Sequence, residues 1–145
     1  MLKITNTTDI ESRTLLEAVK FGHLGCSKDD QPYIVPMHYA FDGENIYFFT
    51  TEGMKTEWLD ANPKVCLQVE HIDDDRHWRS VIIMGKAERL TNAEEIGRAA
   101  NFIVKHHASL TPALNKTIIE NQERSGSAVV YRLHPDSITG RKTYL

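Results

Sequence analysis

The residues with the clearest chemical potential lie in the segment Thr50-Thr51-Glu52-Gly53-Met54-Lys55. It combines two hydroxyl side chains, a glycine that lets the backbone approach a ligand, and a lysine at a predicted helix start. Free amides and the helix dipole favour an anion at such a terminus, and Lys55 adds a positive charge. The segment therefore predicts a phosphate-binding loop. A strand-to-helix turn with a solvated lysine fits the same residues, and for such a loop alone it is the more common case.

The second group is the run Pro36, Met37, His38 and Tyr39 in a predicted strand. Because proline has no N–H to donate, Pro36 is expected at a sheet edge, at a bulge or where the ladder is interrupted. Free amides and carbonyls there could meet a flat polar ligand. Strand alternation places His38 opposite Met37 and Tyr39, where it could donate a hydrogen bond or carry a proton near neutral pH. A sheet-face histidine with a local partner is the alternative.

Two further groups carry polar or aromatic side chains that could contact a ligand. Trp78 and Ser80 lie two residues apart, so in a strand they share one face and could cover a planar ring and hold its polar edge. Near the C-terminus, Arg141 and Lys142 follow a glycine and add two positive charges. A tryptophan in a strand is more often part of the core, and the two cations fit a solvated tail equally well.

The elements that must position these residues are mainly short strands. Their spacing and hairpin turns predict an α+β fold, mainly β, and favour a small antiparallel barrel over an open sheet. Asp42-Gly43-Glu44-Asn45 is typical of a hairpin turn. Strands are predicted at Phe21–Cys26, Tyr33–Phe41, Ile46–Thr51, Val65–His71, Trp78–Leu90, Ala128–Leu133 and Ser137–Tyr144.

Helices are expected at four places. Capping-box patterns predict helix starts at Thr8 and Thr91. The first helix is expected to end at Gly22. A short helix is predicted over Lys55–Ala61, and another after Pro112 to about Glu123. The helical insert 94–123 is the region expected to shape the substrate side of a site.

Length and composition limit the classes of protein that the chain can belong to. Its 145 residues predict one domain, residues 1–145, large enough for a hydrophobic core. A net charge of −3 argues against nucleic-acid binding. No apolar run is long enough for a membrane span or signal peptide, so a cytoplasmic location is expected. Cys26 and Cys66 are predicted to be buried free thiols.

Metal binding and several common catalytic mechanisms have no support in the sequence. The chain has seven histidines, but no pair has HxxxH spacing. The adjacent His106 and His107 would point about a third of a turn apart on a helix. GxGxxG, GxxxxGK[ST] and GxSxG motifs are also absent.

Taken together, these blocks resemble a known family. PYIVPMHYAFDGENIYFFTTEGMKTEWLDANPKVCLQV followed by WRSVIIMGKAERL is similar to the pyridoxamine 5′-phosphate oxidase-like, FMN-binding split-barrel family. The nitroimidazole-resistance proteins are the branch that it resembles most. The resemblance implies a six-stranded antiparallel split barrel and a homodimer with FMN at the subunit interface. The chain stops at Leu145 without the extended segment that holds the vitamin B6 substrate in the oxidases, so that activity is not expected.

The resemblance also implies roles for individual residues. The run from Pro36 to Tyr39 would lie beside the isoalloxazine ring. The phosphate and ribityl chain would be held by Thr50, Thr51 and Lys55, in agreement with the loop chemistry above. Trp78 and Ser80 would line the site from the partner chain, and Arg141 and Lys142 are weaker candidates near the cofactor.

The leading hypothesis is an FMN-dependent oxidoreductase that moves hydride or electrons between a reductant such as NAD(P)H and a small molecule. His38 is the best candidate for a group near the reacting ring. The alternative is a non-catalytic protein that binds a flavin, haem or a deazaflavin. A purely structural interaction domain would leave the glycine-hydroxyl-lysine loop without a role.

Overall fold

The computed structural model describes residues 1–106, the short strands Ile118–Ile119 and Gln122–Glu123, and residues 128–144. The three helices are α1 (Asp9–Val19), α2 (Met54–Ala61) and α3 (Ala93–His106). The strands are β1 (Lys3–Asn6), β2 (Phe21–Lys28), β3 (Gln31–His38), β4 (Ala40–Phe41), β5 (Ile46–Thr51), β6 (Lys64–Asp74), β7 (His77–Arg89), β8 (Ile118–Ile119), β9 (Gln122–Glu123) and β10 (Ala128–Tyr144).

The main sheet is antiparallel and forms a split barrel, as predicted. Its strand order is β3-β2-β6-β7-β10-β5-β4, with β1 added beside β10. Only Tyr39 separates β3 from β4, so one chain segment pairs with β2 through its first part and with β5 through its last. Counting that segment once gives six barrel strands. The two ends of the sheet, β3 and β4, are therefore joined through the backbone of Tyr39 and not by hydrogen bonds between strands.

Pro36 lies in the terminal strand of this sheet, which confirms the expectation of an edge position. β3 pairs only with β2, and Pro36 is opposite His23 in that register. Its missing N–H therefore interrupts no ladder on the outer side of β3.

The barrel interior is filled by inward-facing side chains of every major strand. Phe48 and Tyr131 stack there with ring centroids 5.3 Å apart, and both are buried. Tyr39 is also buried, and its hydroxyl donates to the backbone oxygen of Leu16 in α1 at 2.6 Å. Outside the barrel, α3 places Ile103 in a second, smaller core. Burial of these aromatic and aliphatic side chains supplies the main driving force for the fold.

The first helix confirms one local prediction and corrects another. Thr8 Oγ1 accepts a hydrogen bond from Glu11 N, and Glu11 Oε1 accepts one from Thr8 N, which is the predicted capping box. The predicted end at Gly22 is wrong, because α1 ends at Val19 and Lys20 turns the chain with a φ of 62°. Gly22 lies instead in β2, where a Cβ would sit 2.6 Å from the backbone oxygen of Gln68.

Three other boundaries also differ from the predictions. α3 is capped by Asn92 and not by Thr91, because the Asn92 side chain accepts hydrogen bonds from the amides of Glu94 and Glu95. The predicted helix after Pro112 lies mostly outside the described residues, and its described part is the antiparallel pair β8 and β9. The two predicted closing strands are one strand, β10, with a register shift between Pro135 and Ser137.

The Glu11 carboxylate makes stability depend on pH. A hydrogen bond from Lys142 and the backbone amide of Thr8 lower the pKa of Glu11 from 4.5 to about 2. A carboxyl group with a lowered folded-state pKa stabilises the protein above its unfolded pKa, and this contribution is lost as pH falls. We expect the wild type to lose this contribution to its free energy of unfolding as the pH falls from 4.5 to about 2, and the Glu11→Gln variant to show no such loss.

Chemical denaturation across this pH range measures the effect. The matched control is Glu17→Gln, because Glu17 is exposed on the same helix. Its profile should follow the wild type. A Glu11→Gln profile with the same acid slope as the wild type would show that the Glu11 contacts do not stabilise the fold.

Candidate cofactor-binding site

The predicted phosphate-binding loop joins the end of β5 to the start of α2. Gly53 is the N-cap residue of α2, and its own amide donates to Thr56 Oγ1 at 3.0 Å. Among the described residues, no side-chain oxygen accepts a hydrogen bond from the amides of Met54, Lys55 and Thr56. A Cβ at Gly53 would meet no atom within 4 Å, so the space above the loop is open. By contrast, side chains of Thr8 and Asn92 cap α1 and α3. The first turn of α2 therefore offers donors and space to an anion.

Lys55 brings a positive charge to the same turn. Its side chain is half-buried, and among the described residues it has no carboxylate partner. Burial lowers the pKa of Lys55, while the neighbouring thiol of Cys26 acts in the opposite direction. Burial also raises the pKa of the Cys26 thiol. A half-buried cation without a counter-ion is unfavourable, and a bound anion would relieve this.

Thr50 and Thr51 lie beside this turn but on opposite faces of β5. They pair with Val129 and Ala128 of β10. Thr50 follows the alternation of the buried Phe48, whereas Thr51 follows the face that packs towards α3. The two hydroxyls are therefore close in sequence and do not form a single pair directed at one ligand atom.

Pro36, His38, Trp78, Ser80 and Arg141 share another surface, which we call the outer face. Strand register links these positions across the sheet, because paired residues point to the same side. Pro36 pairs with His23, which pairs with Gln68, and Arg141 pairs with Ser80. The residues that line a cavity of about 680 Å³ here are Asn6, Thr7, Trp78, Ser80, Ile82, Ile138, Thr139, Gly140 and Arg141.

His38 is exposed at one end of this face. Its ring packs edge-on against Phe21, with centroids 4.8 Å apart. This contact places the imidazole on the outer face, beside Phe21. The predicted orientation of His38, away from the core, is therefore observed.

Three other predicted residues contribute less through their side chains. Met37 and Tyr39 are buried in the barrel, so only their backbone groups could line a ligand site. Lys142 forms an ion pair with Glu11 in α1, so its positive charge is already balanced within the protein. Arg141 remains the exposed cation of this pair, with no acidic partner among the described residues.

The loop and the outer-face cavity are far apart within one chain. β7 has 13 residues, which corresponds to about 43 Å of extended strand. Trp78 is the second residue of β7. Arg89, its last residue, pairs with Glu52 in the loop and with Asp60 in α2. Trp78 and the Glu52 side of the loop are therefore at opposite ends of β7.

Gln68 was not among our predicted site residues. Its amide nitrogen donates to Ser80 Oγ and Glu70 Oε2, both at 3.1 Å, and its oxygen lies 3.3 Å from His23 Nδ1. It thus joins polar groups of three strands on the outer face. Alternation in β6 shows that Gln68 points outward, but only the register with β7 places it beside Ser80, and that pairing is not visible in the sequence.

Comparison with known proteins identifies the family. The family model described as pyridoxamine 5′-phosphate oxidase matches residues 8–142. The chain belongs to this family. An uncharacterized protein of Rhizobium meliloti strain 1021 is 30% identical over 135 residues, covering 90% of this chain and 89% of the relative.

Solved structures of the pyridoxamine 5′-phosphate oxidase type share the fold. An FAD-binding protein from Mesorhizobium loti is 28% identical with a TM-score of 0.78, and 100% of both chains is covered. A candidate 5-nitroimidazole antibiotic resistance protein from Bacteroides thetaiotaomicron is 19% identical with a TM-score of 0.75, covering 99% of this chain and 89% of that one. An FAD and haem binding protein from Mycobacterium smegmatis is 13% identical with a TM-score of 0.74, covering 99% and 74%.

The described residues hold neither a metal-ligand cluster nor a membrane-spanning helix. No cluster of three or more metal-ligating side chains occurs among them. None of the described helices is both long and apolar enough to cross a lipid bilayer.

Proposed function

We propose that this protein binds FMN at the interface of a homodimer and acts as an oxidoreductase on a small molecule. The observation that carries the proposal is the first turn of α2, where the amides of residues 54–56 have no side-chain cap among the described residues, Gly53 leaves open space, and the half-buried Lys55 adds a positive charge. A phosphate monoester fits this donor set. Flavin binding agrees with the family and with the FAD-binding neighbour from Mesorhizobium loti.

The residues present fit the two ends of a flavin. Lys55 and the α2 amides would hold the phosphate, with Thr50 or Thr51 beside the ribityl chain. Backbone groups of Pro36 to Tyr39 would run along the ring, and His38 could donate a proton at its edge. Bound flavin would supply hydride and single-electron transfer.

The homodimer is proposed because one chain separates the two half-sites. The outer face exposes Ile34, Ile82 and Met84, which are apolar side chains that a two-fold partner would cover. Trp78 and Ser80 of the partner subunit would then complete the site at Lys55. Arg141 on the same face would add positive charge near the cofactor. A monomer in solution that binds FMN tightly would contradict this arrangement.

Replacement of Lys55 tests the phosphate site. We expect Lys55→Ala to weaken FMN binding by about tenfold or more, because it removes a charge-assisted contact. Riboflavin, which lacks the phosphate, should bind both proteins equally. Fluorescence titration of apoprotein with each ligand measures both affinities.

Lys64→Ala is the matched control, because Lys64 is an exposed lysine at the start of β6. Its FMN affinity should equal that of the wild type. Wild-type protein that stays colourless and binds neither flavin would overturn the proposed function. Equal weakening of FMN and riboflavin by Lys55→Ala would place Lys55 away from the phosphate.

A flavin carrier without turnover is the second candidate. It is favoured by two structural neighbours, an FAD-binding protein and an FAD and haem binding protein. The absorption spectrum and mass of the cofactor released from purified protein distinguish FMN from FAD, haem and a deazaflavin. NAD(P)H oxidation with a small acceptor, compared with free FMN at equal concentration, distinguishes an enzyme from a carrier. The cytoplasmic location and the use of NAD(P)H remain predictions from the sequence.

A further inference from the structure

Arg89 pairs with two carboxylates next to the proposed phosphate loop. Its Nη1 donates to Asp60 Oδ2 at 2.7 Å, and its Nη2 pairs with Glu52 Oε1. Glu52 is in the loop itself, between Thr51 and Gly53. Arg89 is the last residue of β7, so it reaches the loop from a different strand.

Asp60, the other partner of Arg89, links the guanidinium to the barrel core. Tyr131 Oη donates to Asp60 Oδ1 at 2.9 Å, and Tyr131 is buried against Phe48. Burial, with the hydrogen bond to Asp60, raises the pKa of the Tyr131 hydroxyl, which therefore stays protonated as a donor. Asp60 and Tyr131 thus hold the guanidinium in place, and Arg89 can act as a fixed partner for Glu52.

Glu52 is held from its other oxygen as well. Thr56 Oγ1 lies 3.1 Å from Glu52 Oε2 and accepts a hydrogen bond from Gly53 N at 3.0 Å. The carboxylate therefore sits within the loop whose amides and Lys55 would receive an anion. An unpaired carboxylate at this position would repel a phosphate dianion.

We propose that Arg89 is a positioning residue that neutralises Glu52 and holds it away from the phosphate of the bound flavin. Arg89 does not touch the ligand in this arrangement and acts only through Glu52. The inference rests on the proposed function, since it needs a phosphate at the α2 terminus. It gives a specific reason why the protein would bind a phosphorylated flavin more tightly than riboflavin.

A double-mutant cycle with two ligands tests the inference. Arg89→Met should weaken FMN binding by about fivefold, the size typical of a partly exposed ion pair. Riboflavin affinity should not change. Glu52→Gln should bind FMN at least as tightly as the wild type. The double variant should match Glu52→Gln, because Glu52 is the group through which Arg89 is proposed to act on the phosphate, while Asp60 is present in every variant.

Three outcomes would overturn the inference. Arg89→Met could weaken FMN and riboflavin equally, which indicates a structural role. The double variant could be as weak as Arg89→Met, which shows that Glu52 is not the intermediary. Glu52→Gln could itself weaken FMN, which means that the carboxylate assists binding. If Arg89→Met does not fold, Glu52→Gln and Arg89→Lys still decide, since Arg89→Lys should retain the FMN-to-riboflavin preference.

The same titrations separate this inference from the proposed function. Wild-type protein that binds neither FMN nor riboflavin overturns both. Wild-type protein that prefers FMN, with no coupling between positions 52 and 89, overturns the role of Arg89 alone.

Discussion

Ile82→Arg should produce a monomer that no longer retains FMN. Ile82 lies in the middle of the outer face, between Gln68 of β6 and Thr139 of β10, and it is 41% exposed in the single chain. In the proposed dimer the partner covers this position, so an arginine would be buried without a counter-ion. An unpaired buried charge costs several kcal/mol, which corresponds to a loss of dimer affinity on the order of a thousandfold.

Light scattering coupled to size exclusion measures the mass, and fluorescence titration measures FMN affinity in the same samples. Ile10→Arg is the matched control, because Ile10 is an equally apolar residue that is 77% exposed on α1, away from the outer face. It should remain dimeric and yellow. An Ile82→Arg dimer with bound FMN would place the interface elsewhere, and a wild-type monomer with bound FMN would contradict the shared site.

The hairpin that ends in β5 shows which features of this fold can be predicted from the sequence. Ile46–Thr51 was predicted with the bounds that the structure has, because alternation and turn chemistry are local signals. The strand-to-helix turn at Gly53 and the outward direction of His38 follow from the same local rules. Pro36 could be assigned to an edge because the missing N–H is a property of the residue itself.

Other features depend on pairing between distant residues and were not predictable in this way. Lys142 was expected near the cofactor, but it meets Glu11 across 131 residues of sequence. Gln68 becomes part of the outer face only through its register with β7. Helix ends were misplaced for a different reason: Gly22 is a plausible stop signal, yet Lys20 adopts the left-handed conformation first.

Gly85→Ala is expected to have the largest effect on stability. Gly85 lies in β7 opposite Pro135, next to the register shift in β10. A Cβ at this position would overlap the backbone oxygen of His134 and lie 3.0 Å from its carbonyl carbon. Backbone atoms of a paired strand cannot rotate away as a flexible side chain can. We expect a loss of about 2–4 kcal/mol in the free energy of unfolding, in the range of overpacked core substitutions.

Gly97→Ala is the matched control: it is the same chemical change, but it is expected to raise the free energy of unfolding. Gly97 is in the interior of α3, and a Cβ there would meet no atom within 4 Å. Alanine is favoured over glycine in a helix, so this variant should gain about 0.5–1 kcal/mol. Urea denaturation of both variants measures the difference. If Gly85→Ala and Gly97→Ala had equal free energies of unfolding, β10 would be able to shift away from β7 to make room for the methyl group. The strand pair between Trp78 and Arg89 would then not be a rigid spacer between the two proposed half-sites.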